Sequence, residues 1–253
     1  MAVTGFNGQT RFDVYNNQFI GNSVPNYPGS QHQDGYQSDG QYSRVWNNTF
    51  LDLGNYGVFL NAFGNVSDFQ VFNNVAYMND SLFIGGGQQF MYVGSFASGT
   101  ITFQRIVAFN NTIANYTGAP GINFVAGSGS IFDTSDVIED NLLYNVNGGV
   151  QAAPNVVNNN NQVLATGGST LFAAYQPMTS TAYSYDFHVP STAASLLGQG
   201  LNLTSVGISE LDADHDGVAR PTSGGWGIGA YQYGGGGTVQ SLVPPPTLVV
   251  SVQ

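Results

Sequence analysis

The fold of this chain is decided by a phrase that first reads Val14-Tyr15-Asn16-Asn17-Gln18-Phe19 and returns as Val45-Trp46-Asn47-Asn48-Thr49-Phe50. Further copies are Val71-Phe72-Asn73-Asn74-Val75-Ala76 and Ala108-Phe109-Asn110-Asn111-Thr112-Ile113, a weaker one at Ile138-Glu139-Asp140-Asn141-Leu142-Leu143, and a partial one at Asn160-Asn161-Gln162-Val163. Counted from the first Asn, or from the Asp that replaces it, successive copies lie 31, 26, 37, 30 and 20 residues apart. Internal repetition at this period is typical of solenoids, in which each repeat forms one coil.

Each copy predicts a strand followed by a bend. Apolar residues two apart precede the Asn pair, as at Phe69 and Val71, which indicates a strand with one buried face. The pair then lies where the chain turns, because Asn tolerates the left-handed conformation and its side chain bonds neighbouring backbone. When coils stack ~4.8 Å apart, equivalent Asn amides are close enough to form a hydrogen-bonded ladder. Second strands are predicted at 57–61, 121–125 and 149–152.

These repeats predict an all-β fold, a right-handed single-stranded parallel β-helix with a C-terminal capping segment. A β-propeller needs four strands in each blade of about 40 residues, and a sandwich has hairpin turns about every 8–12 residues. Right-handed winding is the expected sense for parallel crossovers. We expect β-helix coils over 1–169, the closing segment over 170–235, and a Gly/Pro-rich linker with a terminal strand over 236–253.

The composition excludes some classes of partner. Only 8% of the residues are charged, lysine is absent, and the formal net charge is −11. Binding of nucleic acid or of an anionic membrane surface requires clustered Lys and Arg, which this chain lacks. No apolar run approaches the ~20 residues of a membrane span, so we expect no membrane insertion. An acidic, lysine-free, Asn- and Gly-rich repeat predicts an extracellular protein, or one at a cell or virion surface. Both ends look cut, so we expect a larger parent protein.

The insertion between the first two coils, residues 21–42, carries the candidate catalytic groups. It contains His32, Asp34 and Asp39, and Arg44 follows directly. Two carboxylates with an imidazole suit general acid and base on a glycosidic bond, which is the chemistry of a hydrolase. Alternatively, His32 or Tyr36 abstracts a proton while Arg44 holds a uronate carboxylate, which is the chemistry of a lyase. The structural alternative is that the Asp-Gly dipeptides here are ordinary turns.

Candidate substrate-binding residues are Tyr36 and Gln37 in the same insertion and Arg105 on a later coil. The chain has 17 Phe, 14 Tyr and two Trp, and some of the rings, such as Tyr92, lie in or near predicted loops. Exposed rings along a solenoid groove suit stacking against sugars, whereas rings that pack over the ladder belong to the core. The sequence leaves both interpretations open.

A second candidate site is the stretch 212–217, in which Asp212, Asp214 and Asp216 alternate before a glycine. Oxygen ligands at this spacing suit Ca²⁺, although Ser223 stands where a calcium loop has its bidentate Glu. The alternative is a turn in which one Asp pairs with Arg220. No other cofactor is implied by the sequence.

The His-x-Asp-Gly-x-Gln string at 32–37, together with the aromatic-Asn-Asn strands, resembles the right-handed parallel β-helix repeat family over residues 10–165. The stretches 185–189, 195–200, 212–220 and 228–231 resemble the closing segment of secreted bacterial β-helix proteins. That family includes polysaccharide lyases, hydrolases and epimerases, phage tailspikes and surface adhesins. A pectate-lyase or polygalacturonase signature is not visible, and a chain without lysine has no Lys-based lyase site.

The resemblance implies an extracellular carbohydrate-active or carbohydrate-binding module that acts on a polysaccharide or a cell-surface glycan. Whether the protein is an enzyme is left open by the sequence. The alternative is a non-catalytic structural protein, such as an adhesin stalk, a tail fibre or a self-assembling filament subunit. The low content of ionisable groups favours this alternative. Open strand edges at a terminal coil favour oligomers that stack end to end.

Overall fold

A computed structural model describes residues 2–3, 11–21, 34–39, 42–78, 88–127, 129–175 and 186–232. Almost all regular structure in these ranges is β. The strands, in chain order, are β1 (Ala2–Val3), β2 (Phe12–Tyr15), β3 (Gln18–Ile20), β4 (Tyr36–Ser38), β5 (Ser43–Trp46), β6 (Thr49–Leu51), β7 (Tyr56–Asn61), β8 (Val66–Ser67), β9 (Phe69–Phe72), β10 (Val75–Tyr77), β11 (Gln89–Gly94), β12 (Ile101–Gln104), β13 (Val107–Phe109), β14 (Thr112–Ala114), β15 (Ile122–Phe124), β16 (Ser130–Ile131), β17 (Val137–Glu139), β18 (Leu142–Tyr144), β19 (Val150–Gln151), β20 (Val157–Asn159) and β21 (Gln162–Leu164).

The strands form parallel sheets that run the length of the stack, as the repeats predict. Sheet 1 is β1-β4-β7-β11-β15-β19, sheet 2 is β2-β5-β9-β13-β17-β20, and sheet 3 is β3-β6-β10-β14-β18-β21. A short sheet of β8, β12 and β16 lies between sheets 1 and 2. The chain visits sheet 1, sheet 2 and sheet 3 in turn and then returns to sheet 1 one coil further on. The fold is therefore an all-β parallel β-helix solenoid.

The Asn pairs occupy the bend between sheets 2 and 3, and their two members have different roles. The first residue is left-handed in every copy, with φ between 48° at Asn110 and 56° at Asp140. The second residue points inward and forms the ladder, as where Asn74 Nδ2 donates to Asn111 Oδ1 at 3.0 Å and Asn111 Nδ2 donates to Asn141 Oδ1 at 2.9 Å. The same bond joins the remaining steps of the ladder, which are Asn17 to Asn48, Asn48 to Asn74, and Asn141 to Asn161.

Alternate residues of the strands fill the interior of the coils. In β7, Val58 and Leu60 lie in the core, so Phe59 between them lies on the outside of sheet 1. Aromatic rings stack from coil to coil within this core, for example Phe19 on Phe50 with centroids 4.9 Å apart. The interior is thus a continuous apolar column closed on one side by buried amides.

The closing segment packs along the side of the solenoid, against the outer surfaces of sheets 2 and 3. Trp226, which is fully buried, and Leu211 cover Phe72 and Phe109 of sheet 2. The segment includes one short helix, α1 (Gly168–Leu171), and 3₁₀ turns at Thr204–Val206 and Ser209–Asp212. No helix in the described part of the chain is long and apolar enough to cross a membrane. The predicted linker and terminal strand at 236–253 lie outside the described residues.

In the third, fourth and fifth copies, the first residue of the pair holds this segment on the coils. Asn73 Nδ2 donates to the carbonyl of Ala213 at 2.7 Å, Asn110 Nδ2 to that of Gly227 at 3.0 Å, and Asp140 Oδ2 accepts the Leu201 N–H at 2.7 Å. Because these side chains leave the bend on the outside, these three pairs contribute one residue to the ladder and the other to the contact with the closing segment.

Candidate functional site

The residues predicted to be catalytic are only partly described. His32 lies outside the described residues. Asp34 and Asp39 lie at opposite ends of β4, five residues apart, which corresponds to about 16 Å along an extended chain. Carboxylate pairs that cleave glycosidic bonds are about 5–9.5 Å apart. Asp34 Oδ1 accepts the backbone N–H of Tyr56 at 3.3 Å, so this side chain has a structural contact at the edge of sheet 1.

Arg44 is placed on a different sheet and is paired. Its Nη1 lies 2.7 Å from Glu210 Oε2, and its side chain is 14% exposed. Burial disfavours ionisation of Glu210, but a backbone hydrogen bond and the charge of Arg44 hold the pKa of this carboxyl below its usual value. The ion pair joins sheet 2 to the closing segment. Glu210 thus balances the positive charge of Arg44, which was predicted to bind the carboxylate of a uronate.

The three predicted substrate-binding residues have separate environments. Tyr36 is 1% exposed and lies in the core, where its hydroxyl donates to Ser43 Oγ at 3.1 Å and burial raises its pKa. Gln37, the next residue in β4, is half-buried on the outside of sheet 1. Arg105 forms two hydrogen bonds to Asp68 at an outer corner. Of these residues, Gln37 lies on the face described below.

The acidic stretch at the predicted calcium site forms a turn. Asp214 accepts backbone N–H groups from Asp216 at 2.9 Å and Val218 at 2.8 Å through Oδ1, and from Gln232 at 2.6 Å through Oδ2. The Asp212 carbonyl accepts the N–H of Arg220, which closes the turn. Within the described part of the chain, no group of three or more His, Asp and Glu side chains is placed to hold a metal ion. Calcium binding here stays a prediction.

A cluster that sequence analysis missed surrounds His188. The His188 Nδ1 atom bonds Asp186 Oδ1, the Nε2 atom lies 2.8 Å from Asp216 Oδ2, and the ring stacks on Tyr231 with centroids 3.9 Å apart. Burial lowers the pKa of His188, but the two carboxylates outweigh this effect and raise it to about 9. Both ring nitrogens of the imidazolium are therefore engaged, and the group acts as an internal cation that ties the closing segment together.

The described residues form one outward aromatic cluster on sheet 1, which we call the aromatic face: Tyr56, Phe59, Tyr92 and Phe96. Tyr56 stacks on Phe59 with centroids 4.5 Å apart, and Tyr92 stacks on Phe96 at 6.0 Å with 12° between the ring planes. Phe96 is 67% exposed, whereas Phe59 and Tyr92 are largely covered by their neighbours. Asn61 Oδ1 accepts the Phe96 N–H at 3.2 Å and so holds this exposed ring in place.

Amides flank the aromatic face along the solenoid axis. The register pairs Gln37 with Phe59, Phe59 with Tyr92, Tyr92 with Asn123, and Asn123 with Gln151. These five outward positions form a column with two rings in the centre and amides at both ends. At about 4.8 Å per coil, the column is about 19 Å long.

Two amide oxygens beside the rings are buried and accept no hydrogen bond from the described residues. They are Asn123 Oδ1, on a side chain that is 7% exposed, and Gln89 Oε1, on a side chain that is 8% exposed and pairs with Tyr56 in the register. An unpaired buried acceptor costs about 1–3 kcal/mol, and both oxygens lie beneath the surface of the face.

The chemistry available on this face is stacking and hydrogen bonding. Burial raises the pKa of Tyr92, and burial together with the neighbouring Tyr92 and Asp34 raises that of Tyr56. Both phenols are therefore protonated at neutral pH, so each hydroxyl has a proton to donate. The sequence pointed to this face only through Tyr92, which lies near a predicted loop. The other three rings are equally consistent with core positions when only the sequence is considered.

No protein-family model matches the chain, and neither a curated protein nor a solved structure matches it. The fold and the candidate site are therefore inferred from the structure of this chain alone.

Proposed function

We propose that this protein binds polysaccharide, outside the cell or at a cell or virion surface, through the aromatic face of sheet 1. The observation that carries the proposal is the outward ring cluster, in which Phe96 is 67% exposed, stacks on Tyr92 and contacts Phe59. Binding sites for small ligands combine apolar and aromatic walls with a few placed polar groups. Pyranose rings match such a surface, because they present apolar C–H faces and a rim of hydroxyl groups.

Binding without bond cleavage is the form of this function that the described residues favour. Tyr56 and Tyr92 are weaker acids than free tyrosine, so neither supplies a general base near neutral pH. Asp34 contacts the Tyr56 backbone, and Asp39 lies at the far end of β4. Detection of polysaccharide lyase or hydrolase activity would show that the protein cleaves its ligand as well as binding it.

The test compares Tyr92→Ala with a matched control, Tyr15→Ala. Tyr15 is a 48% exposed aromatic residue on sheet 2, so its loss changes the exposed aromatic content but not the aromatic face. Affinity electrophoresis through gels that contain soluble polysaccharides measures binding. An aromatic contact contributes about 0.5–1.5 kcal/mol, so Tyr92→Ala should weaken retention about twofold to tenfold and Tyr15→Ala should not change it.

The same polysaccharides are incubated with the protein and analysed by mass spectrometry for shortened chains. The absence of products together with Tyr92-dependent retention supports a binding protein. Products that disappear in Asp34→Asn would establish an enzyme, and retention that is equal in both Tyr variants would place the binding site elsewhere.

A structural or adhesive role is the second candidate, and the last coil favours it. Val163, in an inward position of β21, is 49% exposed and borders a pocket of about 390 Å³ with Val146, Val150, Asn158 and Asn161. A coil that exposes its interior and its strand edge suits end-to-end contact with a further coil. Analytical ultracentrifugation tests this role: concentration-dependent oligomers that Val163→Lys abolishes support it, and a monomer at all concentrations opposes it.

A further inference from the structure

Two phenylalanines at the corner after sheet 1 are the most exposed of the large apolar side chains that the structure describes. Phe63 is 65% exposed and Phe96 is 67% exposed. Phe63 follows β7 and Phe96 follows β11, and the register pairs Asn61 with Gly94 at the ends of these strands. Each phenylalanine therefore lies two residues beyond the same pair, at equivalent places on neighbouring coils. We call these two residues the corner ridge.

Hydrogen bonds between the two coils hold the backbone of the corner ridge. The Ala62 N–H donates to the Gly94 carbonyl at 2.9 Å, and Ser95 Oγ donates to the Ala62 carbonyl at 2.7 Å. The Phe96 N–H donates to Asn61 Oδ1 at 3.2 Å. Ala62 itself is fully buried in the core. The two exposed rings are therefore presented by a backbone that is bonded from coil to coil.

The two rings of the corner ridge differ in their contacts with the aromatic face. Phe96 stacks on Tyr92 and contacts Phe59, with ring centroids 6.0 Å and 6.5 Å apart. Phe63 makes no ring contact with another residue in the described part of the chain. Removal of the Phe63 ring therefore leaves the stack of Phe96 on Tyr92 as it is, which makes Phe63 a clean probe of what the ridge binds.

The chain around the corner ridge is open and uncharged. The stretches 53–67, 88–104 and 117–132, which contain β7, β11 and β15 and the turns after them, have no Asp, Glu, Lys, Arg or His. Ser98 and Thr100 are exposed, and a Cβ added at Gly64 or Gly99 would meet no atom within 4 Å. Apolar rings beside free space and hydroxyl groups suit a ligand that is bound by stacking and by neutral hydrogen bonds.

The size of the corner ridge favours a glycan over a protein partner. A covered aromatic side chain buries about 150–250 Å², so two rings that are about two-thirds exposed present roughly 200–330 Å². A stable protein interface buries about 800 Å² on each partner. A second copy of this chain is disfavoured further, because each copy carries a net charge of −11. The ridge matches the smaller contact that a few sugar rings make with a surface.

We infer that Phe63 is a second residue that contacts the polysaccharide, so that the ligand lies on the corner ridge against the exposed rings of Phe63 and Phe96. This inference rests on the proposed function, because it names a further contact residue of the same site. Phe59 and Tyr92 are largely covered, and they support the Phe96 ring from beneath.

The experiment measures retention of the whole protein by affinity electrophoresis through gels that contain hydroxyethyl cellulose, soluble xylan, galactomannan or polygalacturonate. In each gel that retains the parent protein, Phe63→Ala should weaken retention about twofold to tenfold, which is the contribution of one aromatic contact. Phe63→Trp keeps a flat ring and should preserve retention, whereas Phe63→Leu keeps apolar area without a ring and should not. The matched control Tyr15→Ala should leave retention unchanged.

Urea denaturation of the same variants separates a lost contact from a lost fold. Because the Phe63 side chain is mostly exposed, Phe63→Ala and Phe63→Leu should have the same midpoint as the parent protein. Weaker retention at an unchanged midpoint supports a direct contact between Phe63 and the polysaccharide.

Three results would overturn the inference, and they separate it from the proposed function. Retention that Phe96→Ala weakens and Phe63→Ala does not would leave the proposed function standing on the aromatic face without Phe63. A dimer in analytical ultracentrifugation that Phe63→Ala converts to a monomer would show that the ridge binds a second copy instead. Retention of the parent protein in none of the gels would refute the proposed function itself, and the inference with it.

Discussion

Removal of one amide from the middle of the Asn ladder tests what holds the coils together. The Asn111 side chain is fully buried, with 0% exposure. Its Oδ1 accepts the backbone N–H and the Nδ2–H of Asn74, each at 3.0 Å. Its Nδ2 donates to the Val71 carbonyl at 3.1 Å and to Asn141 Oδ1 at 2.9 Å. Asn111→Ala deletes all four bonds. Asn74 Nδ2 keeps its bonds to the Val45 and Phe72 carbonyls, and Asn141 Oδ1 keeps the backbone N–H of residue 111. At most two groups, the Asn74 backbone N–H and the Val71 carbonyl, are therefore left unpaired inside the solenoid.

The magnitude follows from these two groups. A buried donor or acceptor that loses its partner costs about 1–3 kcal/mol, which gives roughly 2–6 kcal/mol for the two. Water that enters the space left by the amide restores part of the pairing, so we expect a loss in the lower half of this range, at about 3 kcal/mol. A domain of ordinary stability has about 5–15 kcal/mol in total, so this single amide accounts for a large part of the free energy of unfolding.

The matched control is Asn17→Ala, which makes the same change at the first described step of the ladder. Asn17 is partly exposed, and its Nδ2 donates to the Tyr15 carbonyl at 2.8 Å and to Asn48 Oδ1 at 3.1 Å. Solvent replaces these bonds at the open side, so we expect a cost of about 1 kcal/mol.

Urea denaturation followed by circular dichroism measures both variants against the parent protein. With a slope of about 3 kcal/mol/M, Asn111→Ala should lower the midpoint by about 1 M and Asn17→Ala by about 0.3 M. Equal shifts for the two variants would refute the reasoning, because they would mean that burial of the ladder does not set its contribution to stability.

Three further predictions concern charged groups. The pKa of His188 is raised to about 9, so the stabilisation from its charged form is complete below pH ~6.5 and is lost as the pH rises through ~9. Urea titrations across this range should show a loss of roughly 3 kcal/mol in the free energy of unfolding. The loss should be missing in His188→Gln. Burial raises the pKa of Asp136 to about 6, against hydrogen bonds from two backbone N–H groups, so the folded state binds the proton more tightly and stability should increase as the pH falls from ~6 to ~4. Asp136→Asn should reduce this increase in the same titrations. Arg105→Asn, which removes an exposed ion pair with Asp68 but tolerates the left-handed backbone, should change stability by less than about 1 kcal/mol and leave glycan retention unchanged in affinity gels.

The coil could be predicted from the sequence because its signals are local. Period-two apolar residues and an adjacent Asn pair specify a strand, a bend and the next strand within about ten residues, and the second strands predicted at 57–61, 121–125 and 149–152 are confirmed as β7, β15 and β19. Which residue of a pair forms the ladder and which one points outward was visible only in the structure. Two identical neighbouring residues give no sign of which side chain turns inward.

The candidate site was only partly predictable. Tyr92 and Gln37 lie on the face that the structure assembles, and Tyr36, the neighbour of Gln37, lies in the core. Whether a strand residue points in or out depends on the parity of the register, which a bend such as the one at Gly35 can shift. The unsatisfied oxygens of Asn123 and Gln89 have no sequence signature. The chain contains many Asn and Gln residues, and nothing in the local sequence distinguishes a side chain that finds a hydrogen-bond partner from one that does not.

The sequence by itself determined the architecture, because a repeated phrase stacks on its own copies and every coil offers the same hydrogen bonds to the next. Only the tertiary structure decided which groups remain available for a ligand. Arg44 meets Glu210 across 166 residues, and the closing segment covers sheets 2 and 3 but leaves the outward rings of sheet 1 as a cluster. These contacts join parts of the chain that are far apart in sequence, and their partners are chosen by packing rather than by any local pattern.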